Sequence, residues 1–281
     1  MKRVAVLGAG LMGAGIAQVF AQGGFGVVLR DLQMVLVNDG IKTIENNLNK
    51  MINKGLLTLE EKEVILNRIQ GSTDLAELQD VDLVVESVVE NIAVKRQIFA
   101  ELDNICAEHT ILATNTTTLS ITEIASSTKR KDRVLGMHFF NPVPSMQLVE
   151  LVKGIETSDY TINIAKDYVE KIGKHGVVVQ RESPGFIVNR ILAPYLNEAI
   201  FVYAEGVADK KDIDTAMKYG AGMPLGPLEL ADIIGLDILY SMVVALYDEF
   251  RDSKYRPHPL FSTMLRAGYY GKKAGKGFYE Y

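Results

Sequence analysis

The chain has a single cysteine, Cys106, in 281 residues. One thiol makes no internal disulfide and supplies no multi-cysteine zinc site, so the expected setting is reducing and cytoplasmic, with no metal. Positive charge is also in short supply: 30 Lys and Arg stand against 35 Asp and Glu, a formal net charge of −5. Such a balance gives no general attraction to nucleic acid or to an anionic membrane and leaves only local basic clusters to hold an acidic ligand. There is no low-complexity tract and no internal repeat, and 48% hydrophobic with 23% charged residues excludes a disordered chain.

Charge is missing altogether between Val4 and Leu29. By length alone that run could span a bilayer, and Met1-Lys2-Arg3 before it has the basic character of a signal-peptide start. Seven glycines, at 8, 10, 13, 15, 23, 24 and 26, argue against a continuous apolar helix. A buried strand, turn and helix explain the run better, and no membrane association is expected.

What the run contains is a nucleotide-binding pattern. Arg3–Leu7 is short, apolar and β-branched at alternate positions, as a buried parallel strand is. Gly8-Ala-Gly-Leu-Met-Gly13 follows at once, then a helical stretch from Ala14 to Gln22. Gly8 suits the tight turn, Gly10 lets the backbone approach a pyrophosphate, and Gly13 allows helix to pack on strand. Phosphates would rest on the helix N-terminus beside Leu11 and Met12, where free N–H groups and the dipole attract anions. A second strand, Gly26–Asp31, ends in an acid 21 residues after Gly10. A carboxylate there bonds ribose hydroxyls and repels a 2′-phosphate, which favours NAD; Arg30 beside it can accommodate that phosphate and leaves NADP open.

Apolar positions at 37, 41, 44, 48 and 51 predict one helix over 34–54, with Lys50 and Lys54 four residues apart on a shared face. Thr58-Leu-Glu-Glu61 is a capping box that opens another helix, so the pair forms a hairpin inserted after the second strand. Further strands are expected at 81–85, 110–114 and 174–180, with a helix over 91–105. Ligands of open α/β sheets bind outside the carboxyl ends of the strands, which draws attention to Glu90, Asn115 and Thr117.

Residues 134–152 place one histidine and one glutamate on two apolar runs flanking a proline-bearing turn. If Val134–Phe139 and Met146–Val152 run antiparallel about a centre near Pro144, His138 faces Glu150. A carboxylate beside imidazole fixes its tautomer, raises its basicity and stabilises the imidazolium, giving a group that shuttles one proton near neutral pH. Beyond Pro184 the pattern is helical, with a helix expected from Pro184, after a Ser183 cap, to Glu205 and others near 210–219, 227–235, 237–251 and 259–267. Pro194 should bend the first of these or find a packed site for its missing bond. Their aliphatic content exceeds what so small a domain buries easily, which points to a subunit contact.

The motifs together resemble the L-3-hydroxyacyl-CoA dehydrogenase family, most closely its bacterial members acting on four-carbon substrates. The resemblance runs nearly end to end: Gly8–Gly13 with Asp31, Val89-Glu-Asn91, Asn115-Thr-Thr-Thr-Leu-Ser-Ile121, His138-Phe-Phe-Asn-Pro142, Pro184-Gly-Phe-Ile-Val-Asn-Arg190, Gly220–Pro227 and Gly271–Tyr279. It implies an α/β fold, a Rossmann-like and mostly parallel sheet with a helical-hairpin insertion over 1–183, followed by a smaller all-helical domain over 184–281. It implies NAD or NADP as cofactor, an acyl-CoA substrate such as acetoacetyl-CoA or its hydroxyl partner, and a homodimer formed through the second domain. It also implies roles for particular residues: His138 as catalytic base, Glu150 as its partner, and Asn189 as a substrate-orienting amide. Glu90, Lys95, Asn141 and Lys273 would line the nicotinamide half of the cofactor, and Lys50 and Lys54 would contact the CoA phosphates. Thr117 departs from the family's usual serine; it keeps the hydroxyl for the substrate oxygen but adds a methyl that stiffens χ1. Two other readings stay open: a related NAD enzyme acting on a free hydroxy acid or sugar acid, and a non-catalytic dinucleotide-binding protein.

Overall fold

Val4, Ala5, Val6 and Leu7 are buried on both faces, which is why Arg3–Leu7 forms a central strand, β1. Helix α1 (Leu11–Gln22) follows, and the chain returns as β2 (Gly26–Arg30), α2 (Met34–Asn53), α3 (Leu59–Leu66) and β3 (Ile69–Ser72). The second half of this region comprises β4 (Leu83–Glu86), α4 (Ile92–Ile105), β5 (Ile111–Thr114), α5 (Ile121–Ala125), β6 (Val134–Phe139), β7 (Leu148–Lys153), α6 (Asp159–Lys171) and β8 (His175–Val179). The computed structural model describes residues 2–281 and divides into two units, one running to Ser183 and the other from Pro184 to Tyr281.

In the first unit eight strands form one sheet in the order β3-β2-β1-β4-β5-β6-β7-β8. The first six run parallel; β7 pairs antiparallel with β6, and β8 runs parallel to β7. Strand order reverses between β1 and β4, the place where open α/β sheets leave a crevice for a ligand. Phe20 on α1 packs edge-on against Phe25, Phe139 and Tyr168, joining α1, β6 and α6 into one core. Burial of each such side chain contributes roughly 1.5–3 kcal/mol relative to exposure.

The helical hairpin after β2 is α2 and α3. Thr58 Oγ1 accepts from the Glu61 N–H at 3.2 Å while the Glu61 carboxylate accepts from the Thr58 N–H at 2.8 Å, the reciprocal cap expected of that sequence. Helix α2 ends at Asn53, one residue short of the predicted span, and Lys54 is its C-cap.

The second unit contains α7 (Val188–Ala204), α8 (Lys210–Gly220), α9 (Pro227–Ile234), α10 (Leu236–Phe250) and α11 (Pro259–Arg266) around a core that includes Leu196, Ile200, Leu228, Leu239, Val243 and Phe261. One expectation is corrected here. Pro184 does not begin the first helix: Gly185 (φ +73°) and Phe186 (φ +49°) lie in the left-handed region, so the chain turns before α7 starts at Val188. Phe186 belongs to that turn and Asn189 is the second residue of the helix. The helix runs through Pro194 without a break. The last residues fold back on this unit, where buried Asp232 accepts from the Phe278 and Tyr279 N–H groups at 2.9 and 2.8 Å. Among the described residues no single helix is long and apolar enough to cross a membrane.

Candidate active site

The carboxyl ends of β1, β2, β4, β5 and β6 share one edge of the sheet, and most of the residues singled out in the first unit lie there. Gly8 has φ +93°, and a Cβ on it would stand 2.4 Å from the Ser87 carbonyl oxygen. A Cβ on Gly13 would stand 1.8 Å from the Gly8 carbonyl oxygen, so α1 can approach β1 only with glycine in its first turn. Gly10 is different, because nothing lies within 4 Å of its Cβ position and the space over it is open. Helix α1 has no side-chain cap and no acid in its first turn, which leaves the N-terminal dipole uncompensated around Leu11 and Met12. Open backbone, an uncapped helix start and a turn that tolerates no side chain suit a pyrophosphate.

Asp31 ends β2 with both carboxylate oxygens anchored: Oδ2 accepts from the Ala9 N–H and Oδ1 from the Leu32 N–H, each at 2.7 Å. That fixes a negative charge beside the glycine turn. The neighbouring Arg30 directs its Nε to the Thr73 carbonyl oxygen at 3.2 Å. A fixed carboxylate there fits the ribose hydroxyls of NAD and opposes a 2′-phosphate.

At the ends of β4 and β5 the polar side chains form a connected group. Glu90 Oε1 accepts from Thr116 Oγ1 at 2.5 Å and from the Thr117 and Thr118 N–H groups at 3.0 and 3.3 Å. Asn115 bridges neighbouring strands, donating to Ser87 Oγ at 3.2 Å and accepting from the Phe139 N–H at 2.9 Å. Lys95 is wholly buried, with its ammonium 2.7 Å from Glu86 and 3.6 Å from Glu90. Sequence reasoning missed Glu86, Thr114 and Thr116. The signal for Glu86 was a charged residue closing an otherwise apolar strand nine positions before Lys95.

On the next strand, His138 and Glu150 are directly paired across β6 and β7. His138 Nδ1 lies 2.8 Å from Glu150 Oε2, and both side chains are buried. The imidazole also stacks at a tilt on Phe140, with centroids 4.5 Å apart. The following loop holds exposed Asn141, joined to Pro142 by a cis peptide. It packs against α1, where a Cβ on Gly15 would meet Val143 at 2.8 Å. Lys174, also missed, holds this loop by donating to the Val143 and Met146 carbonyls at 2.8 and 2.6 Å. Its ammonium is mostly buried, which lowers its pKa.

The other residues lie elsewhere. Lys50 in the last turn of α2 and Lys54 at its C-cap are exposed, where a cation also complements the helix dipole. In the second unit Asn189 is buried, and Lys273 pairs with Asp237 at 2.6 Å. Thr117 is half-buried beside Glu90.

The strand order, the glycine turn and the anchored acid after β2 define a dinucleotide-binding protein of the doubly wound α/β class. Residues 3–183 match the family described as "3-hydroxyacyl-CoA dehydrogenase, NAD binding domain", and residues 185–281 match "3-hydroxyacyl-CoA dehydrogenase, C-terminal domain". The chain belongs to the 3-hydroxyacyl-CoA dehydrogenase family, and NAD is its cofactor. It is 48% identical over 279 residues to the 3-hydroxybutyryl-CoA dehydrogenase of Clostridioides difficile, covering 99% of each chain. It is 46% identical over 288 residues to the mitochondrial hydroxyacyl-coenzyme A dehydrogenase of Homo sapiens, covering 100% of this chain and 91% of that one. Among solved structures, the (S)-3-hydroxybutyryl-CoA dehydrogenase of Ralstonia eutropha superposes with a TM-score of 0.96 at 46% identity, covering 100% of this chain and 99% of that one.

Proposed function

We propose that this protein interconverts a short-chain (S)-3-hydroxyacyl-CoA and the 3-ketoacyl-CoA, with 3-hydroxybutyryl-CoA and acetoacetyl-CoA as its four-carbon pair. The observation that carries the mechanism is the buried His138–Glu150 contact at the edge of the sheet that bears the glycine turn. With the Glu150 carboxylate accepting from Nδ1–H, proton exchange falls to His138 Nε2. In oxidation the substrate O–H bond breaks and its proton passes to Nε2, while C3–H leaves with its electron pair and the C3–O bond becomes a carbonyl. Glu150 stabilises the imidazolium so formed; in reduction His138 returns the proton to the oxygen. Bound NAD supplies the hydride acceptor and NADH the donor. Thr117, whose N–H donates to Glu90, is proposed to donate from Oγ1 to the substrate oxygen as negative charge develops there. Asn189 is proposed as a further amide donor that orients the thioester substrate. Glu90, Lys95, Asn115, Asn141 and Lys273 are proposed for the nicotinamide half of the cofactor, Lys95 acting through Glu90.

Lys50 and Lys54 present two exposed ammonium groups without a nearby acid on their own helix turn, which suits the phosphates of CoA. The exposed aliphatic residues of the second unit, Ile191 at 68% and Val207 at 70% among them, support a homodimer, and the lone buried thiol supports a cytoplasmic setting.

The test is loss of NADH absorbance with acetoacetyl-CoA, compared with free acetoacetate and with NADPH. Turnover of the thioester with NADH is expected to dominate; oxidation of NADH by free acetoacetate at an equal rate would overturn the substrate assignment. The double substitution Lys50→Glu/Lys54→Glu should raise KM for acetoacetyl-CoA about tenfold while leaving KM for NADH unchanged, since each lost phosphate contact is a charge-assisted hydrogen bond.

A further inference from the structure

Glu86 touches no surface, yet it is the residue on which the polar group at the ends of β4 and β5 converges. Its Oε1 accepts from the Val88 N–H and from Lys95 Nζ, each at 2.7 Å, and its Oε2 accepts from Thr114 Oγ1 at 2.7 Å. Glu86, Lys95, Thr114 and Thr116 are all fully buried. The path then leads outward: from Lys95 to Glu90 at 3.6 Å, and from Glu90 to the Thr116 hydroxyl and the Thr117 and Thr118 amides. The path opens to solvent at Glu90, whose side chain is 41% exposed, and at the half-buried Thr117 and Thr118.

We propose that Glu86 is a positioning residue for the active-site loop: by holding the Lys95 ammonium central, it keeps Glu90 and the backbone of residues 116–118 where cofactor and substrate need them. The role of that loop rests on the dehydrogenase reading above; the role of Glu86 is a deeper claim about how the loop is held. The physical reason is charge compensation in a dry place. A buried ammonium is strongly disfavoured unless a carboxylate and hydrogen bonds satisfy it. Glu86 supplies the close contact, so Lys95 can act on Glu90 from a distance without collapsing onto it. Without the charge on Glu86, the carboxylate left paired with Lys95 among the described residues is Glu90. The ammonium then draws Glu90 inward, away from the three donors of the loop. Glu90 is thus set by the competition between a cation beneath it and the N–H groups beside it, and Glu86 fixes the strength of the pull. Glu86 is well placed for this because its main chain also joins the strands: the Asn115 N–H donates to the Glu86 carbonyl at 2.7 Å.

The experiment compares wild-type protein with Glu86→Gln, Lys95→Met and the double substitution Glu86→Gln/Lys95→Met. Amide hydrogen exchange is followed in the peptide spanning residues 114–120, and NADH affinity is followed by its fluorescence. Exchange needs neither cofactor nor turnover. In Glu86→Gln the amides of Thr117 and Thr118 should exchange at least tenfold faster, and NADH should bind at least fivefold more weakly. The double substitution removes both buried charges in near-isosteric form and should recover thermal stability relative to the single change. It should also return the amides of Thr117 and Thr118 to near wild-type exchange, because no ammonium then draws Glu90 away from them. Lys95→Met alone should lose stability yet keep those amides slow; a purely structural ion pair would instead make them fast in Lys95→Met as in Glu86→Gln, and that result would overturn the proposal. Unchanged loop exchange in Glu86→Gln would do the same. If Glu86→Gln does not fold, loop exchange in Lys95→Met against wild type still decides between the two. Wild-type protein that binds NADH but turns over no thioester would count against the substrate reading and leave the role of Glu86 to be decided by the exchange data.

Discussion

His138 is buried with Nδ1 held at 2.8 Å by Glu150, so replacing it with glutamine removes the proposed proton carrier while keeping a polar side chain of similar reach. His138→Gln is expected to lower kcat by about a hundredfold or more with NADH affinity within about twofold of wild type, as for loss of a general base. Steady-state kinetics with a fluorescence titration of NADH check both halves. Cys106 offers a contrast, since its chemistry is suppressed. Burial pushes its thiol up from 9.0 to about 11, with Arg130 opposing the shift and Asp103 adding to it. Little thiolate therefore exists at neutral pH, and a disulfide reagent should label Cys106 only when the chain is unfolded; rapid labelling of native protein would contradict the burial. The sign for stability follows. Between 9 and about 11 the unfolded chain releases the thiol proton while the folded chain retains it, so stability falls as pH rises through that window.

Elements differ in how plainly the sequence announces them. The strands that carry His138 and Glu150 are legible down to register, because two apolar runs about a centre near Pro144 pair so that His138 faces Glu150. The reciprocal cap at Thr58 is equally plain, and its removal makes a local prediction. Thr58→Ala should cost about 1 kcal/mol of stability, measured by urea unfolding, without altering the KM for NADH. Other elements are less visible. Strand β3 is four residues, Ile69–Ser72, with a glycine and a glutamine; it exists because β2 offers a free edge. Helix α6 receives no assignment from the motifs, although Ser158 caps it and Ile162, Ala165 and Val169 form its buried stripe. The start of α7 misleads for a physical reason. Ser183-Pro184 has the composition of a helix start, but the glycine and phenylalanine after it take up positive φ, which tertiary burial of Phe186 can enforce and local preference cannot foretell. Glu86 and Lys174 are harder to read because each has a partner far along the chain, Thr114 lying 28 residues after Glu86 and Val143 lying 31 residues before Lys174.

At the scale of the whole molecule, each unit has its own core, and the glycine turn, the anchored acid and the His138–Glu150 pair all belong to the first. The second unit keeps large aliphatic side chains in solvent, which is the basis for expecting a dimer. Ile191→Glu/Val207→Glu should shift the sedimenting species toward monomer, whereas an unchanged sedimentation coefficient would move the contact elsewhere. The first unit's part of the proposed dinucleotide site draws on segments spread between Gly8 and Asn141, but His138 and Glu150 sit on adjacent strands joined by a single loop. Closing that loop costs little chain entropy, so base and acid can meet once one hairpin forms, whereas the nucleotide cradle must wait for distant strands to find each other. The proton-handling corner is in this sense a module of low contact order. An insertion in the loops of the nucleotide half should slow assembly of the cradle far more than it disturbs the imidazole–carboxylate contact.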